Sequence, residues 1–278
     1  MKKYSIILSI VLFLVGAGLF LTAFISVDFD ITKLSTGERI IQTQAFEEDF
    51  SNIRISADTP DINFIISENE TPRVDSQTMS TSKYSVYVKN DTLYITEKES
   101  FSWFDLVRFN FGKSSITVYI SKSVYNSIII ETDTGDISLN DITAESISLE
   151  SDTGNIKLAN TKVNKNINLE NNTGNTTLTS VECTVLSGES DTGNITFTDV
   201  IASGKINLES DTGNIKLNDC DGGSLEIESD TGNVTGVLLT EKTFVAKSDT
   251  GSVKVPKETT GGRCYIETDT GNIKFTVK

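Results

Sequence analysis

The sequence predicts an all-β protein, a parallel β-solenoid of about eight coils of 19–20 residues that follows an N-terminal β cap and one transmembrane helix. Three observations predict this fold. A D-T-G stretch recurs at nearly constant spacing, apolar and polar residues alternate on both sides of it, and an uncharged apolar run stands near the N-terminus. They divide the 278 residues into a cytoplasmic start and anchor at 1–27, a linker at 28–45, the β cap at 46–130 and the regular solenoid at 131–278.

The apolar run from Ile6 to Val27 contains no charged residue. A helix over this run is roughly 33 Å long at about 1.5 Å per residue, and a bilayer core is about 30 Å thick. A cleaved signal peptide is the alternative, but its apolar region is shorter, and this run matches a small-x-small cleavage site poorly. Lys2 and Lys3 precede the run and acidic residues follow it. We therefore expect a single-pass protein of the cell membrane with a cytoplasmic N-terminus and an extracytoplasmic C-terminal domain.

The predicted cap contains a degenerate first coil. ISADTPDINFI, at Ile55–Ile65, resembles the later repeat IESDTGNVTGV, but Pro60 replaces the glycine and fixes φ near −65°, so it requires a different turn. Further along, Tyr84–Glu97 predicts a hairpin with a turn at Asn90-Asp91.

The segment from Phe101 to Gly112 interrupts this polar cap with many aromatic residues, including the one tryptophan of the chain. Two interpretations remain open: a plug over the end of the solenoid core, or a contact surface for a membrane or a partner. The candidate contact residues are Phe101, Trp103, Phe104, Phe109 and Phe111.

The regular repeats are aligned on their glycines, which are 19, 20, 19, 20, 19, 19 and 20 residues apart. These are Gly135, Gly154, Gly174, Gly193, Gly213, Gly232, Gly251 and Gly271. Positions seven and five residues before each glycine, and two and four after it, are mostly apolar, which predicts two short strands around a turn. A third, more variable segment near Val181, Val200, Cys220 and Leu239 is expected to complete each coil. Coils about 4.8 Å apart then share one core.

An aspartate or asparagine stands two places before each glycine. We expect it to accept backbone N–H groups in an Asx turn, while the glycine supplies positive φ. An aspartic protease uses the same D-T-G letters, but it needs two aspartates face to face, which stacked turns do not provide. No catalytic residue is therefore predicted. The predicted structural turn column is Asp133, Asp152, Asn172, Asp191, Asp211, Asp230, Asp249 and Asp269.

An asparagine follows six of the glycines, where stacked amides are expected to form a hydrogen-bonded ladder along the rod. These residues are Asn155, Asn175, Asn194, Asn214, Asn233 and Asn272.

A glutamate column accompanies the aspartates and is interrupted by Lys247. Like charges one coil apart repel, so binding of a divalent cation such as calcium is one interpretation. Compensation by the lysines three places after the glycines is the favoured alternative, because calcium-binding β-roll repeats are glycine-rich nonapeptides. We predict no metal site and no cofactor. The column is Glu131, Glu150, Glu170, Glu189, Glu209, Glu228 and Glu267.

The amino-acid composition argues against several classes of partner and of catalytic site. With 24 basic and 39 acidic residues the net charge is −15, so we expect no nucleic-acid partner. The chain has no histidine, which excludes Ser-His and Cys-His catalytic pairs. Its three cysteines leave at least one unpaired in a monomer. We predict no enzymatic activity; a polysaccharide-acting enzyme is the least favoured alternative, since the five arginines show no convergent spacing.

The repeats resemble bacterial β-strand-repeat proteins of unknown function, often labelled putative adhesins, whose hallmark is a tandem S-D-T-G-x-I-x-L repeat. The hallmark stands at 151–158, 190–197 and 210–217, with Phe197 replacing the leucine of the second copy. The resemblance covers about 46–278. It implies a β-solenoid, an envelope location in many members, a link to envelope stress in some, and no catalytic residue.

The sequence therefore predicts a membrane-anchored module for binding, adhesion or scaffolding in the bacterial cell envelope. Its expected partner is an envelope protein, a glycan or a cationic peptide. In the alternative role, an envelope-stress sensor or regulator, the acidic rod would bind cationic peptides or a membrane partner. The final strand, which reaches Lys278 without an obvious cap, is a further candidate for oligomerisation through the C-terminal edge.

Overall fold

The structure is a computed structural model that describes residues 2–26, 28–29, 39–67, 71–79, 84–98, 113–121, 124–257 and 260–278. Apart from the helix α1 (Lys2–Ser26), its elements are strands. The strands before the repeats are β1 (Arg39–Ala45), β2 (Asn52–Ala57), β3 (Asp61–Ile66), β4 (Arg73–Met79), β5 (Tyr84–Lys89), β6 (Thr92–Glu97) and β7 (Ser115–Ile120). The repeats contain β8 (Val124–Thr134), β9 (Ile137–Asn140), β10 (Thr143–Thr153), β11 (Ile156–Thr173), β12 (Thr176–Cys183), β13 (Val185–Thr192), β14 (Ile195–Thr212), β15 (Ile215–Thr231), β16 (Val234–Leu238), β17 (Lys242–Thr250), β18 (Val253–Lys254), β19 (Gly262–Thr270) and β20 (Ile273–Val277).

The helix α1 is long and apolar enough to cross a membrane. Its part from Ser9 to Ser26 has a mean hydropathy of 2.3, and none of that part is buried against the described chain. Its 25 residues correspond to about 38 Å of helix. The helix is compatible with a signal sequence as well as with a single-pass anchor.

The first strands form an antiparallel cap. Strand β4 pairs with β1 and β7, and β5 pairs with β6. The predicted hairpin is confirmed, and Asn90 and Asp91 in its turn have φ values of 50° and 60°. The linker predicted at 28–45 is wrong in its second part, because Arg39–Ala45 forms β1. This mostly polar run is ordered by backbone pairing with β4 rather than by burial, so its pattern gave little sign of a strand.

The degenerate first coil is confirmed around Pro60. Strands β2 and β3 pair in parallel with β8 and β9, which places Ile55 beside Ile130 and Ile62 beside Ile137. On their other side, β2 and β3 pair in parallel with β6 and β7. Counted from the cap, β6 and β7 therefore form the first layer of the stack. The strands β2 and β3, although they come earlier in the chain, form the second layer.

The parallel β-solenoid is confirmed. Each repeat pairs in register with its neighbours, as Ile147 does with Ile128 on one side and Ile167 on the other. After its glycine a coil has three segments, which for the coil after Gly154 are 156–159, 161–163 and 166–173. The predicted inward columns, together with the second segments, form one continuous apolar core.

A second corner separates the first and second segments. Positive φ values between 48° and 60° occur there at Asp141, Asn160, Ser180, Asp199 and Asp219. Beyond it, Val181, Val200 and Cys220 are fully buried, as predicted. The prediction is wrong for Leu239, which is exposed. Its coil lacks one corner residue, so Leu238 is the residue that pairs with Cys220 and is buried.

The last two coils are stacked out of chain order. Strand β19 lies between β15 and β17, and β20 lies between β16 and β18. Among the described strands, β17 and β18 have neighbours on one side only, so they form what we call the open end, opposite the cap. The prediction of a free edge at the final strand, β20, is therefore wrong. After β16 the chain skips one layer to form β17 and β18, and it then returns to fill the skipped layer with β19 and β20.

Buried polar contacts hold this crossing in place. The Nζ of Lys242, which is 3% exposed, donates hydrogen bonds to Asp221 Oδ1 at 2.6 Å and to Thr240 Oγ1. Thr240 Oγ1 also donates to the same Asp221 oxygen at 3.0 Å. At the surface, Lys278 Nζ lies 2.8 Å from Asp219 Oδ1. The charge of Lys242 is thus compensated where the chain changes layer.

The repeated glycines are required by the stacking of one corner on the next. A Cβ added to Gly193 would lie 1.7 Å from the carbonyl oxygen of Gly174, and one added to Gly213 would lie 1.8 Å from that of Gly193. These contacts are with backbone, which cannot move aside. Gly193 also has a φ of 149°, which side-chain-bearing residues rarely adopt.

We expect Gly193→Ala to destabilise the protein by at least about 2 kcal/mol, because it adds both a backbone clash and φ strain. The matched control is Gly188→Ala in an inward column, where the new Cβ would meet only Leu208 Cδ2 at 3.0 Å. We expect that change to cost less than about 1 kcal/mol. Thermal unfolding of the full chain in detergent micelles, followed by circular dichroism, measures both; equal losses would contradict the stacking explanation.

Candidate functional site

The third segments present two rows of acidic side chains, which we call the acidic face. Strand pairing orders the glutamates as Glu131, Glu150, Glu170, Glu189, Glu209, Glu228 and Glu267. The predicted interruption by Lys247 is wrong. Because β19 lies inside β17, Lys247 follows Glu267 at the open end, and the seven glutamates are consecutive.

Like charges on this face disfavour ionisation. Partial burial, followed by repulsion from Glu170 and Glu131, raises the pKa of Glu150. Partial burial and the neighbouring Glu209 and Glu170 raise the pKa of Glu189 in the same way. The rod therefore carries repulsion that a cationic partner would reduce.

Compensating cations lie only at the two ends of the glutamate row, as far as the described chain extends. Arg54 Nη2 lies 3.0 Å from Glu131 Oε1, and Lys247 Nζ lies 2.8 Å from Glu267 Oε1. The lysines expected to compensate the other carboxylates are on the first segments and form no ion pair with any described residue. They are Lys157, Lys216, Lys254 and Lys274.

The predicted turn column forms the second row of the acidic face. Its aspartates are exposed, and Asn172 is half-buried and donates from Nδ2 to Asp152 Oδ1 at 3.0 Å. The expected Asx hydrogen bonds from backbone N–H groups are not seen for these described residues. The preceding residue contacts the corner instead, as Ser151 Oγ does when it donates to Gly135 O at 3.4 Å. The aspartates therefore lie at the surface, where Asp249 Oδ1 is 2.9 Å from Lys247 Nζ.

The predicted asparagine ladder is confirmed. The backbone N and Nδ2 of Asn194 both donate to Asn175 Oδ1 at 3.1 Å, and Asn214 makes the same pair of bonds to Asn194 Oδ1 at 3.0 and 3.2 Å. The pattern continues from Asn155 to Asn272. Every amide points its donors toward the cap, so the ladder has a polarity.

Each end of the ladder has a residue suited to that polarity. At the donor end, Asp136 Oδ1 accepts both the backbone N–H and the Nδ2 of Asn155 at 2.8 Å. Burial opposes ionisation of Asp136, but these hydrogen bonds and the charges of Lys157 and Lys113 outweigh it and lower its pKa. At the acceptor end, the N and Oγ of Ser252 donate to Asn272 Oδ1.

We expect Asn194→Ala to destabilise the full chain by about 1–2 kcal/mol, because both donors of Asn214 lose their acceptor. Thr192→Ala, an exposed position at the same corner, is the control and should change stability by less than about 0.5 kcal/mol. Chemical denaturation followed by fluorescence measures the difference. A loss no larger than that of the control would show that the ladder contributes nothing to stability.

A shallow cavity of about 610 Å³, largely open to solvent, lies near the open end, at the corner between the second and third segments. We call it the corner cavity. The polar side chains that line it are those of Ser203, Asp221, Thr240, Glu241, Lys242 and Thr260. Sequence reasoning missed it; the available signal was the pair of adjacent glycines that two repeats share at this corner, Gly222-Gly223 and Gly261-Gly262.

Within the described chain, no group of three or more Cys, Asp or Glu residues is arranged to hold a metal ion. The three thiols are free and buried. Burial raises the pKa of Cys183 and Cys264 to about 12 and that of Cys220 to about 11, which keeps these thiols protonated. The candidate contact residues Phe101, Trp103, Phe104, Phe109 and Phe111 lie outside the described residues.

A family model described as Toastrack DUF4097 matches residues 50–278. The chain belongs to the Toastrack family. This match confirms the resemblance to a β-strand-repeat family of unknown function. A search of curated proteins finds no match.

Solved structures show that other bacterial proteins share the Toastrack fold. A putative adhesin from Bacteroides fragilis is 18% identical, with a TM-score of 0.59 over 86% of this chain and 97% of the other. A putative adhesin from Parabacteroides distasonis is 15% identical, with a TM-score of 0.54 over 87% and 98%. At these identities the likeness shows the fold alone.

Proposed function

We propose that this Toastrack protein is a single-pass membrane protein that displays its solenoid outside the cell as a binding, adhesion-like or scaffolding module of the envelope. The observation that carries the proposal is the helix α1, whose apolar surface is unburied and which precedes the cap end of the rod. The lysines before the helix favour a cytoplasmic N-terminus.

The order of the layers supports display of one particular end. Strand β1 belongs to the cap and begins 13 positions after Ser26, the last residue of α1, since 39 minus 26 is 13. In this proposal the anchor tethers the rod to the membrane through the cap, and the open end with the corner cavity is the end farther from the tether. The adhesin-like names of structural neighbours agree with a binding role.

A thiol placed on the rod tests this topology. Thr192 is exposed and the native cysteines are buried, so Thr192→Cys provides a single reactive site. We expect a membrane-impermeant maleimide to label this variant in whole cells whose outer barrier is permeable to the reagent. Labelling that occurs only after the cytoplasmic membrane is broken would contradict the proposal.

The matched control is Lys3→Cys, which should react only after the cytoplasmic membrane is opened. The mass of the chain in the membrane fraction separates an anchor from a cleaved signal peptide. A full-length mass supports the anchor, and loss of the first residues contradicts it.

The acidic face supports a second candidate, a sensor or regulator that binds cationic peptides. The seven consecutive glutamates are spaced by one coil, so their like charges repel and a cation would relieve that repulsion. Partial burial and then this repulsion raise the pKa of Glu150 and Glu189. A polysaccharide-acting enzyme has less support, because the acidic columns repeat with no distinct carboxylate pair.

A fluorescent oligolysine peptide tests this candidate on the full chain in lipid nanodiscs. We expect binding that weakens with salt, and an affinity about fivefold lower after Glu170→Gln with Glu189→Gln, which removes about 1 kcal/mol of attraction. Glu47→Gln with Glu48→Gln makes the same charge change outside the acidic face and is the control. If the two double variants weaken binding equally, the peptide responds only to the net charge of the protein, and the acidic face is not its binding site.

A further inference from the structure

The corner cavity differs chemically from the acidic face, although both lie on one rod. Its basic side chain, Lys242, is almost fully buried and is neutralised by Asp221 at 2.6 Å. Glu241, at the rim, is exposed and accepts a hydrogen bond from Thr260 Oγ1. The cavity therefore offers no free positive charge, and an anionic ligand would be repelled.

The polar groups around the cavity are mainly acceptors and hydroxyls. Asp221 Oδ1 accepts hydrogen bonds from Gly222 N, Thr240 Oγ1 and Lys242 Nζ. Its other oxygen, Oδ2, accepts none from the described residues. Ser203 and Thr260 add hydroxyl groups that both donate and accept.

Glycine pairs leave the backbone bare along one wall. A Cβ at Gly262 would lie 1.8 Å from Gly223 O, and one at Gly261 would lie 1.9 Å from Glu241 O. Gly261 also has a φ of 84°, so any other residue there is disfavoured. The close stacking of these corners therefore requires glycine at both positions.

We propose that the corner cavity binds an uncharged sugar residue of a glycan. Carboxylate oxygens accept hydrogen bonds from the hydroxyl groups of a sugar ring, the hydroxyls of Ser203 and Thr260 both donate and accept, and the half-buried Ile201 provides apolar contact. The volume of about 610 Å³ is in the range of small-molecule sites. The inference rests on the proposed function as an envelope binding module and assigns that module a ligand class and a site.

Saturation-transfer NMR with the full chain in lipid nanodiscs tests the inference, with maltose, cellobiose, lactose and N,N′-diacetylchitobiose as uncharged probes and glucuronate as the anionic one. We expect at least one uncharged sugar to bind at millimolar concentration and glucuronate to bind more weakly. No binding of any uncharged probe, or tighter binding of glucuronate, would overturn the proposal.

Two variants locate the binding. Ser203→Tyr places a ring in the cavity mouth from an exposed position and should weaken sugar binding at least about tenfold. Asn164→Tyr, at the equivalent corner position two coils nearer the cap, should leave it unchanged. Glu241→Gln keeps the shape of the rim, removes its charge and should also weaken binding. If Ser203→Tyr and the parent protein bind the sugar with equal affinity, the corner cavity is not the sugar-binding site.

Melting temperatures confirm that each variant is folded. The maleimide labelling of Thr192→Cys is independent of sugar binding, so loss of sugar binding with external labelling rejects only the cavity. Cytoplasmic labelling would reject the proposed function whatever the sugar result.

Discussion

The close approach of one glycine corner to the next determines most of this structure. Each corner lies so near the carbonyl oxygen of its neighbour that a single added carbon would clash. Because the corners stack directly, equivalent residues of successive coils must also stack, both inside and outside. The apolar core, the asparagine ladder and the two acidic rows are therefore consequences of one packing requirement.

The same requirement has opposite energetic effects on different columns. Stacked apolar side chains bury one another, and stacked asparagines satisfy one another because each amide is both donor and acceptor. Stacked carboxylates only accept hydrogen bonds and carry like charges, so they repel; partial burial and this repulsion together raise the pKa of Glu189. They are tolerated because the face is open to water and salt, which screen the repulsion.

Sequence reasoning identified the features that depend on local pattern. The period-2 alternation identified the inward columns, and the residues beside each glycine identified the ladder. It missed the order of the last layers, since the strands around Phe244 and Cys264 carry the same pattern and either could stack on β15. It also missed β1, which is paired but hardly buried, and the corner cavity, which exists only where two distant glycine pairs meet. Such features follow from the choice of partner strand, which periodicity does not encode.

The crossing of the last two coils has a consequence for how the rod is made. A regular solenoid can add one finished layer after another as the chain emerges, from its first repeat onward. Here β17 and β18 leave the ribosome before the strands that they pair with, β19 and β20. The end of the core beyond β15 and β16 must stay uncovered during that interval. Folding of this domain during synthesis thus passes through a stage with exposed apolar edges, and a chaperone has its greatest opportunity to act on it then.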